Sequence, residues 1–513
     1  MSLTRSFARV LAQSHACPVV CSRCVSCSRR LSTSALAPAV QRFTRELVKH
    51  QPCYAISASS VNIVTEPRQF YLCLLDLIRR ARRRLFISSL YIGSEDLELI
   101  ETLEASLHAQ PSLHVYMHLD YNRCTRPERL STANLLLPLL QRYPDRVHVW
   151  FFRSPKLKGL MAKVMPPRFN EGWGGTWHPK IYGADDDLVI SGANLNTSYF
   201  TNRQDRYVQL TGQPELADYC FSFLEQTASF SYSLRPSSTD KMLTNLHPHQ
   251  FEPTAQTVLK TFQERQRNRV SNKIASLLSG SSESQNHEDV LVIPIIQAGQ
   301  FNVREEERCL AMLFQHLAEP ASLSSHYEGP LVDLTSGYFG LYKPYQNLVI
   351  NSPVACRVLA ASPKANGFYG SRGVSGRIPE GYTVLERRFM TAVRAAGRAW
   401  PSEQPVQDRI ESGVQLSEWA REGWTYHAKG IWLRPTPSAH PCLTLFGSTN
   451  LNARSANIDT ELSFMLVTTS PKLRARLAEE VDGLRSHAYP WMGAERRVRP
   501  FSWLLANALS SRL

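Results

Sequence analysis

The sequence predicts an α/β protein built of two fused α/β/α lobes with one active site at their interface, and three observations predict it. Its 513 residues exceed what a single core usually serves. Helical and strand periodicities alternate along the chain in two successive series, as in layered α/β folds. Each series runs into a strand carrying His-x-Lys, and the two copies share their trailing residues.

Taken in order, residues 1–45 hold seven Arg, eight Ser, no Lys and no acid, the first acid being Glu46. That composition is expected of a mitochondrial transit peptide, with Arg29, Arg30 and Leu31 before Ser-Thr-Ser as a processing site. Cys17, Cys21, Cys24 and Cys27 mimic zinc-ligand spacing there, but with no folded scaffold expected around them no metal is assigned. The other seven of the eleven cysteines are scattered singly, which argues for thiols rather than a disulfide framework. The formal charge is +14, and about +7 remains without the leader, an excess that suits anionic phosphates or an anionic membrane surface. No run of apolar residues is long enough to span a bilayer.

The first lobe is expected over 46–232. Its pattern reads helix 71–82, strand 85–92, helix 97–108, strand 114–119, helix 132–141 and strand 147–152. A polar linker is expected over 233–256, containing Ser-Leu-Arg-Pro-Ser-Ser-Thr-Asp and His-Pro-His, and a Ser-rich loop at 279–287. The second lobe, 257–495, repeats the theme with helix 262–278, strand 290–296, helix 305–317, strands 331–335 and 355–361, and helix 383–396. The tail 496–513, with Phe501, Trp503, Leu504, Leu505 and Leu509, either rests at a membrane interface or packs on the second lobe. Lys156, Lys158, Lys163 and Arg168, interleaved with Leu157, Leu160, Met161, Val164 and Met165, fit either a segment resting on an anionic membrane face or a partly buried helix.

The repeated strands carry the chemistry. His178 and Lys180, two apart, share one face of a strand, as do His427 and Lys429. Asp185 falls near a turn, and Asn194 follows the next strand. In the second copy Gly447, Ser448, Thr449 and Asn450 follow a strand. Laid on each other, Asn194 and Asn196 match Asn450 and Asn452, and eleven residues beyond each first Asn stands an acid, Asp205 and Glu461. The halves are not interchangeable, since Arg434 stands where the second copy should carry its Asp, and its connection is seven residues longer.

HxKxxxxD followed by a small-residue turn and Asn resembles the signature of the phospholipase D superfamily. The resemblance implies that His178 attacks phosphorus to form a phosphohistidine while His427 protonates the leaving group and then deprotonates the incoming hydroxyl. It further implies that Lys180, Lys429, Asn194, Asn450 and Ser448 surround the non-bridging oxygens, that Asp205 and Glu461 accept from the imidazole Nδ1 groups, and that Asp185, grouped with the catalytic residues, is the motif acid in a structural or supporting role. No cofactor and no metal are expected, the lysines supplying the positive charge.

Two loops after strand ends are substrate-binding candidates through Arg123 and Arg126, and through Lys364 and Arg372 with Gly367, Gly370 and Gly373. No Walker A or dinucleotide fingerprint is present, so nucleotide hydrolysis is not inferred. The leader, the truncated second motif and the 362–373 loop resemble the mitochondrial phosphatidyltransferases within the superfamily. That resemblance implies CDP-diacylglycerol and glycerol 3-phosphate as substrates, peripheral contact with the inner membrane, and no nucleic acid. Hydrolysis of the phospholipase D type, or transfer to another acceptor as in phosphatidylserine or cardiolipin synthases, is the alternative.

Overall fold

The structure, a computed structural model, describes residues 36–95, 97–126, 131–156, 174–236, 242–243, 250–279, 288–319, 329–400 and 413–512. The greater part of the expected leader, the 157–173 stretch, His-Pro-His and the loop 280–287 lie outside them.

Two large sheets with the same topology form the frame. In the first, strands Val147–Phe152, His114–Asp120 and Arg84–Ser88 run parallel, followed by the antiparallel strands Ile181–Ala184, Asp187–Ser191, Tyr207–Leu210 and Val61–Val64. In the second, Val414–Trp419, Ala355–Ala361 and Leu331–Ser336 are parallel, followed by Lys429–Arg434, Leu443–Gly447, Glu461–Thr468 and Val290–Ala298. The parallel strands are almost wholly buried and correspondingly rich in Val, Leu and Ile, because helices cover both faces.

Helix spacing explains the layers. Helix Pro67–Arg80 starts on a proline, which forfeits no intrahelical bond at that position, and buries Phe70, Tyr71, Leu74 and Ile78 on one face. With helices Leu97–Ala109 and Thr132–Arg142 it builds an outer core on the first sheet. Helices Glu305–Ala318, Lys343–Asn351 and Ile378–Ala395 do the same for the second. A third core joins Phe152, Trp177 and Phe223 of the first half to Val292, Phe446 and Phe464 of the second. The halves are welded by that shared layer rather than merely tethered.

Three boundaries differ from the sequence reading. Helix Pro38–His50 buries Val40, Phe43 and Leu47 in the second lobe's outer core, and strand Tyr54–Ile56 pairs with Val290–Val292. The segment 38–56, expected to be divided between leader and first lobe, thus completes the second. Its apolar i, i+3, i+7 face needs a partner that the second sheet supplies. The expected linker is also shorter: strand Tyr232–Leu234 still belongs to the first sheet, and a helix already runs from Phe251 to Ser279. The tail forms helix Pro500–Arg512, which buries Ser502 and Ala506 next to Leu385 while exposing Phe501, Trp503 and Leu504. No helix among the described residues is long and apolar enough to cross a membrane.

Candidate active site

The site is assembled by two crosswise seams between the lobes. Residues 202–204 run beside 425–427: Thr425 N–H donates to Asn202 O (2.9 Å) and His427 N–H to Gln204 O (2.8 Å). In the mirror arrangement Thr460 N–H donates to Thr176 O (2.9 Å) and His178 N–H to Thr460 O (3.0 Å). Each histidine strand is therefore held by the segment that carries the other lobe's acid.

The dyads are crossed in consequence. His178 Nδ1 lies 2.8 Å from Glu461 Oε2, and His427 Nδ1 lies 2.6 Å from Asp205 Oδ2. A buried carboxylate at Nδ1 holds the proton there and leaves Nε2 with the lone pair for chemistry. Ser448 Oγ also donates to Glu461 Oε2, and Arg206 N–H donates to Asp205 Oδ1 (2.8 Å). Burial lowers the His178 pKa against the pull of Glu461, and it lowers His427 to about 3 with the help of Lys429 and against Asp205. Burial thus favours the neutral form of both imidazoles, the state a nucleophile and a general base require.

Lys180 and Lys429 sit beneath them. Lys180 Nζ donates to His178 O (2.6 Å), and Lys429 Nζ lies 2.7 Å from His427 Nδ1 and 3.4 Å from Asp205 Oδ2. Burial brings the Lys180 ammonium down to about 7, opposed by Glu461 and reinforced by Lys429. Lys429 is lowered by burial too, with Asp205 opposing. An incoming anion would favour the charged form of both lysines. Gly192 makes room for one of them, since a Cβ there would stand 2.4 Å from Asp205 Oδ1 and 2.7 Å from Lys429 Nζ.

Asn194 and Asn450 are buried at equivalent places, and the Oδ1 atom of each is without a hydrogen-bond partner among the described residues. Turning either amide over offers an NH2 group to a phosphate oxygen.

Other candidates fall elsewhere. Asp185, grouped with the catalytic residues on sequence grounds, occupies the far turn of its hairpin with φ 51°. Its carboxylate caps the N–H groups of Arg82, Arg83 and Arg84, a clamp on the adjoining strand rather than a part in the chemistry. Arg434, at the matching position, does the same work with opposite charge by pairing with Asp333 and Asp482. Arg123 stacks over Tyr91 (4.2 Å to the ring centroid) and its N–H donates to Asp120. Arg126 is partly buried at the end of that loop, whereas Lys364 and Arg372 are exposed. The 362–373 loop reaches the site instead through Gly367, where a Cβ would meet Tyr338 Oη at 2.9 Å, and through Phe368 beside Tyr338.

Several site residues were missed from the sequence. Tyr199 Oη lies 3.4 Å from His427 Nε2 and 3.2 Å from Asn194 Nδ2, and Tyr338 meets the His427 ring edge-on at 5.3 Å between centroids. Arg203 and Asp459 flank the two acids. Aromatic residues five positions past a motif, or on a distant strand end, give no periodic signal.

No family model matches this chain. It is 36% identical to the mitochondrial CDP-diacylglycerol–glycerol-3-phosphate 3-phosphatidyltransferase of Gallus gallus over 84% of this chain and 79% of that protein. It is 35% identical to the Schizosaccharomyces pombe CDP-diacylglycerol–glycerol-3-phosphate 3-phosphatidyltransferase over 86% and 91%. Among solved structures, phosphatidylserine synthase of Haemophilus influenzae Rd KW20 superposes with a TM-score of 0.67 at 18% identity, covering 92% of this chain and 99% of that one, a likeness of fold. With this identity sustained over most of both chains, the protein belongs to the CDP-diacylglycerol–glycerol-3-phosphate 3-phosphatidyltransferase family.

Proposed function

We propose that this chain moves the phosphatidyl group of CDP-diacylglycerol to glycerol 3-phosphate, releasing CMP and forming phosphatidylglycerophosphate. The observation that carries the reading is the crossed pair of buried His–carboxylate dyads with a lysine beside each. Membership of the family supplies the substrates.

In the first step the His178 Nε2 lone pair attacks the phosphorus that bears the diacylglycerol. The bond from that phosphorus to the bridging oxygen breaks, and CMP departs with its electrons. The leaving oxygen belongs to a phosphate whose second pKa is about 6, so the departing group asks for charge stabilisation more than for a proton. Lys180 and Lys429 supply that positive charge, and neutral His427 serves the second step. There it takes the proton of the glycerol 3-phosphate hydroxyl through Nε2 as the hydroxyl oxygen attacks the phosphohistidine. His178 is released, the product leaves, and His427 gives up its proton to solvent, as its lowered pKa favours. Lys180, Lys429 and the two asparagine amides stabilise the non-bridging oxygens in both steps.

The same reading gives the chain a cleaved leader, mitochondrial residence and a peripheral seat on the anionic inner membrane. The exposed Phe501, Trp503 and Leu504 support the seat by offering an apolar face beside Arg388 and Arg499. The test is purified protein with labelled glycerol 3-phosphate and CDP-diacylglycerol in mixed vesicles. Label in phosphatidylglycerophosphate with stoichiometric CMP is expected. Phosphatidic acid as the sole lipid product in the presence of acceptor would overturn the transfer reading in favour of hydrolysis.

A further inference from the structure

The internal repeat breaks at one charged position. The register that lays Asn194 on Asn450 and Asp205 on Glu461 lays Arg203 on Asp459, each two residues before its acid. On the His178 side Asp459 is an anion fully engaged: it accepts from Thr176 N–H (2.7 Å), Thr176 Oγ1 (2.9 Å) and Arg454 Nε (2.7 Å). On the His427 side the mate is a cation. Arg203 Nε donates to Thr425 Oγ1 (3.0 Å), and its guanidinium lies 4.5 Å over the Tyr199 ring. Among the described residues no carboxylate lies within ion-pair distance of it.

Its setting is built rather than accidental. The backbone of residue 203 is paired with Thr425, two residues before His427, so the guanidinium shares the rim of the site with Tyr199 and Tyr338. A Cβ at Gly367 would come within 3.3 Å of Arg203 Nη2, so glycine there keeps that end of the fork uncrowded. Asp205, two residues on, is already committed to His427, Lys429 and its own neighbour's N–H. A partly buried guanidinium that, among the described residues, bonds only to hydroxyl groups and has no carboxylate of its own is suited to a phosphate supplied from outside.

We infer that Arg203, held between Tyr199 and Tyr338, is a second phosphate subsite that binds the phosphomonoester of CMP in the first half-reaction and that of glycerol 3-phosphate in the second. The inference rests on the transferase reading and deepens it. The reacting phosphorus lies between the two histidines, so the group on the His427 side is first the departing nucleotide and then the acceptor. Both carry a phosphate next to or near the oxygen that His427 serves. One cation can meet both in turn, and the equivalent position on the His178 side is Asp459, already paired with Arg454, rather than a second such arginine.

The test uses the full chain with His178→Ala to prevent turnover, titrated calorimetrically with CMP, with glycerol 3-phosphate and with glycerol. Adding Arg203→Met should weaken CMP and glycerol 3-phosphate each by about 10- to 100-fold, the worth of hydrogen bonds to a charged group, and leave glycerol unchanged. Adding Arg203→Lys, which keeps charge without the fork, should restore part of that loss, and it carries the test if the methionine variant fails to fold. Unchanged affinities, or loss of only one of the two phosphates, overturn the shared subsite. Should the otherwise unmodified chain form no phosphatidylglycerophosphate while both phosphates still depend on Arg203, the transferase reading falls and the anion subsite stands.

Discussion

At the scale of single residues the crossed dyads separate two roles that the repeat makes look equal. Glu461 serves His178 and Asp205 serves His427. Glu461→Gln should therefore suppress the rapid burst of CMP in a quenched-flow experiment. Asp205→Asn should preserve much of the burst and slow transfer to glycerol 3-phosphate, each by about 100- to 10,000-fold. The same loss of burst in both variants would show the dyads to act as one. His178→Ala and His427→Ala should each cost at least about 1,000-fold in turnover without loss of the folded state, as read by activity and circular dichroism. Arg434→Asp should not raise activity, because the position ties strand Lys429–Arg434 to Asp333 and Asp482 far along the strand from His427. It should lower the melting temperature by bringing three acids together.

At the scale of elements, the helices that back the site carry carboxyls forced to hold their protons. Burial, then the nearby Glu461, raises Glu306 in the first turn of helix Glu305–Ala318 from 4.5 to about 8. Glu386 in helix Ile378–Ala395 is raised to about 8, first by burial and then by Glu418. A folded-state pKa above the unfolded one means that the folded form binds the extra proton, so stability is full below about pH 4.5 and is lost as pH rises towards 8. Glu306→Gln keeps a neutral side chain for Tyr345 and Thr449 at every pH. Its melting temperature should fall less than that of the unsubstituted protein between about pH 5 and pH 8, a difference that differential scanning calorimetry reads. Parallel declines would place the effect on other groups.

At the scale of the whole molecule, the core shared by both sheets makes the lobes interdependent. Arg206 of the first lobe is buried against the second: its guanidinium lies 3.7 Å over Trp432, forks onto Glu480 (2.8 and 2.9 Å) and donates to Leu445 O. Glu480→Ala leaves that charge buried and unpaired and should cost about 3–5 kcal/mol in urea unfolding. Unfolding of the intact chain should be a single transition, since neither sheet can keep Phe152, Trp177 and Phe464 covered alone. Two resolved transitions would show the lobes to be independent.

By itself the sequence determined the alternation of helices and strands, the duplication, and the His, Lys, Asn and acid set, because these are written in local periodicity and in a repeat that keeps its register. The strand Val147–Phe152 and the strand Ala355–Ala361 were legible to the residue, since a buried parallel strand reads as an apolar run. Only the tertiary structure decided that each acid serves the other lobe's histidine, that Asp185 and Arg434 are clamps, and that helix Pro38–His50 belongs to the second lobe. It likewise brought Tyr199, Tyr338 and Arg203 to His427. The physical reason is common to all of these. Which surfaces meet depends on seams formed between residues some 220 to 280 positions apart, and local propensity carries no record of so distant a partner.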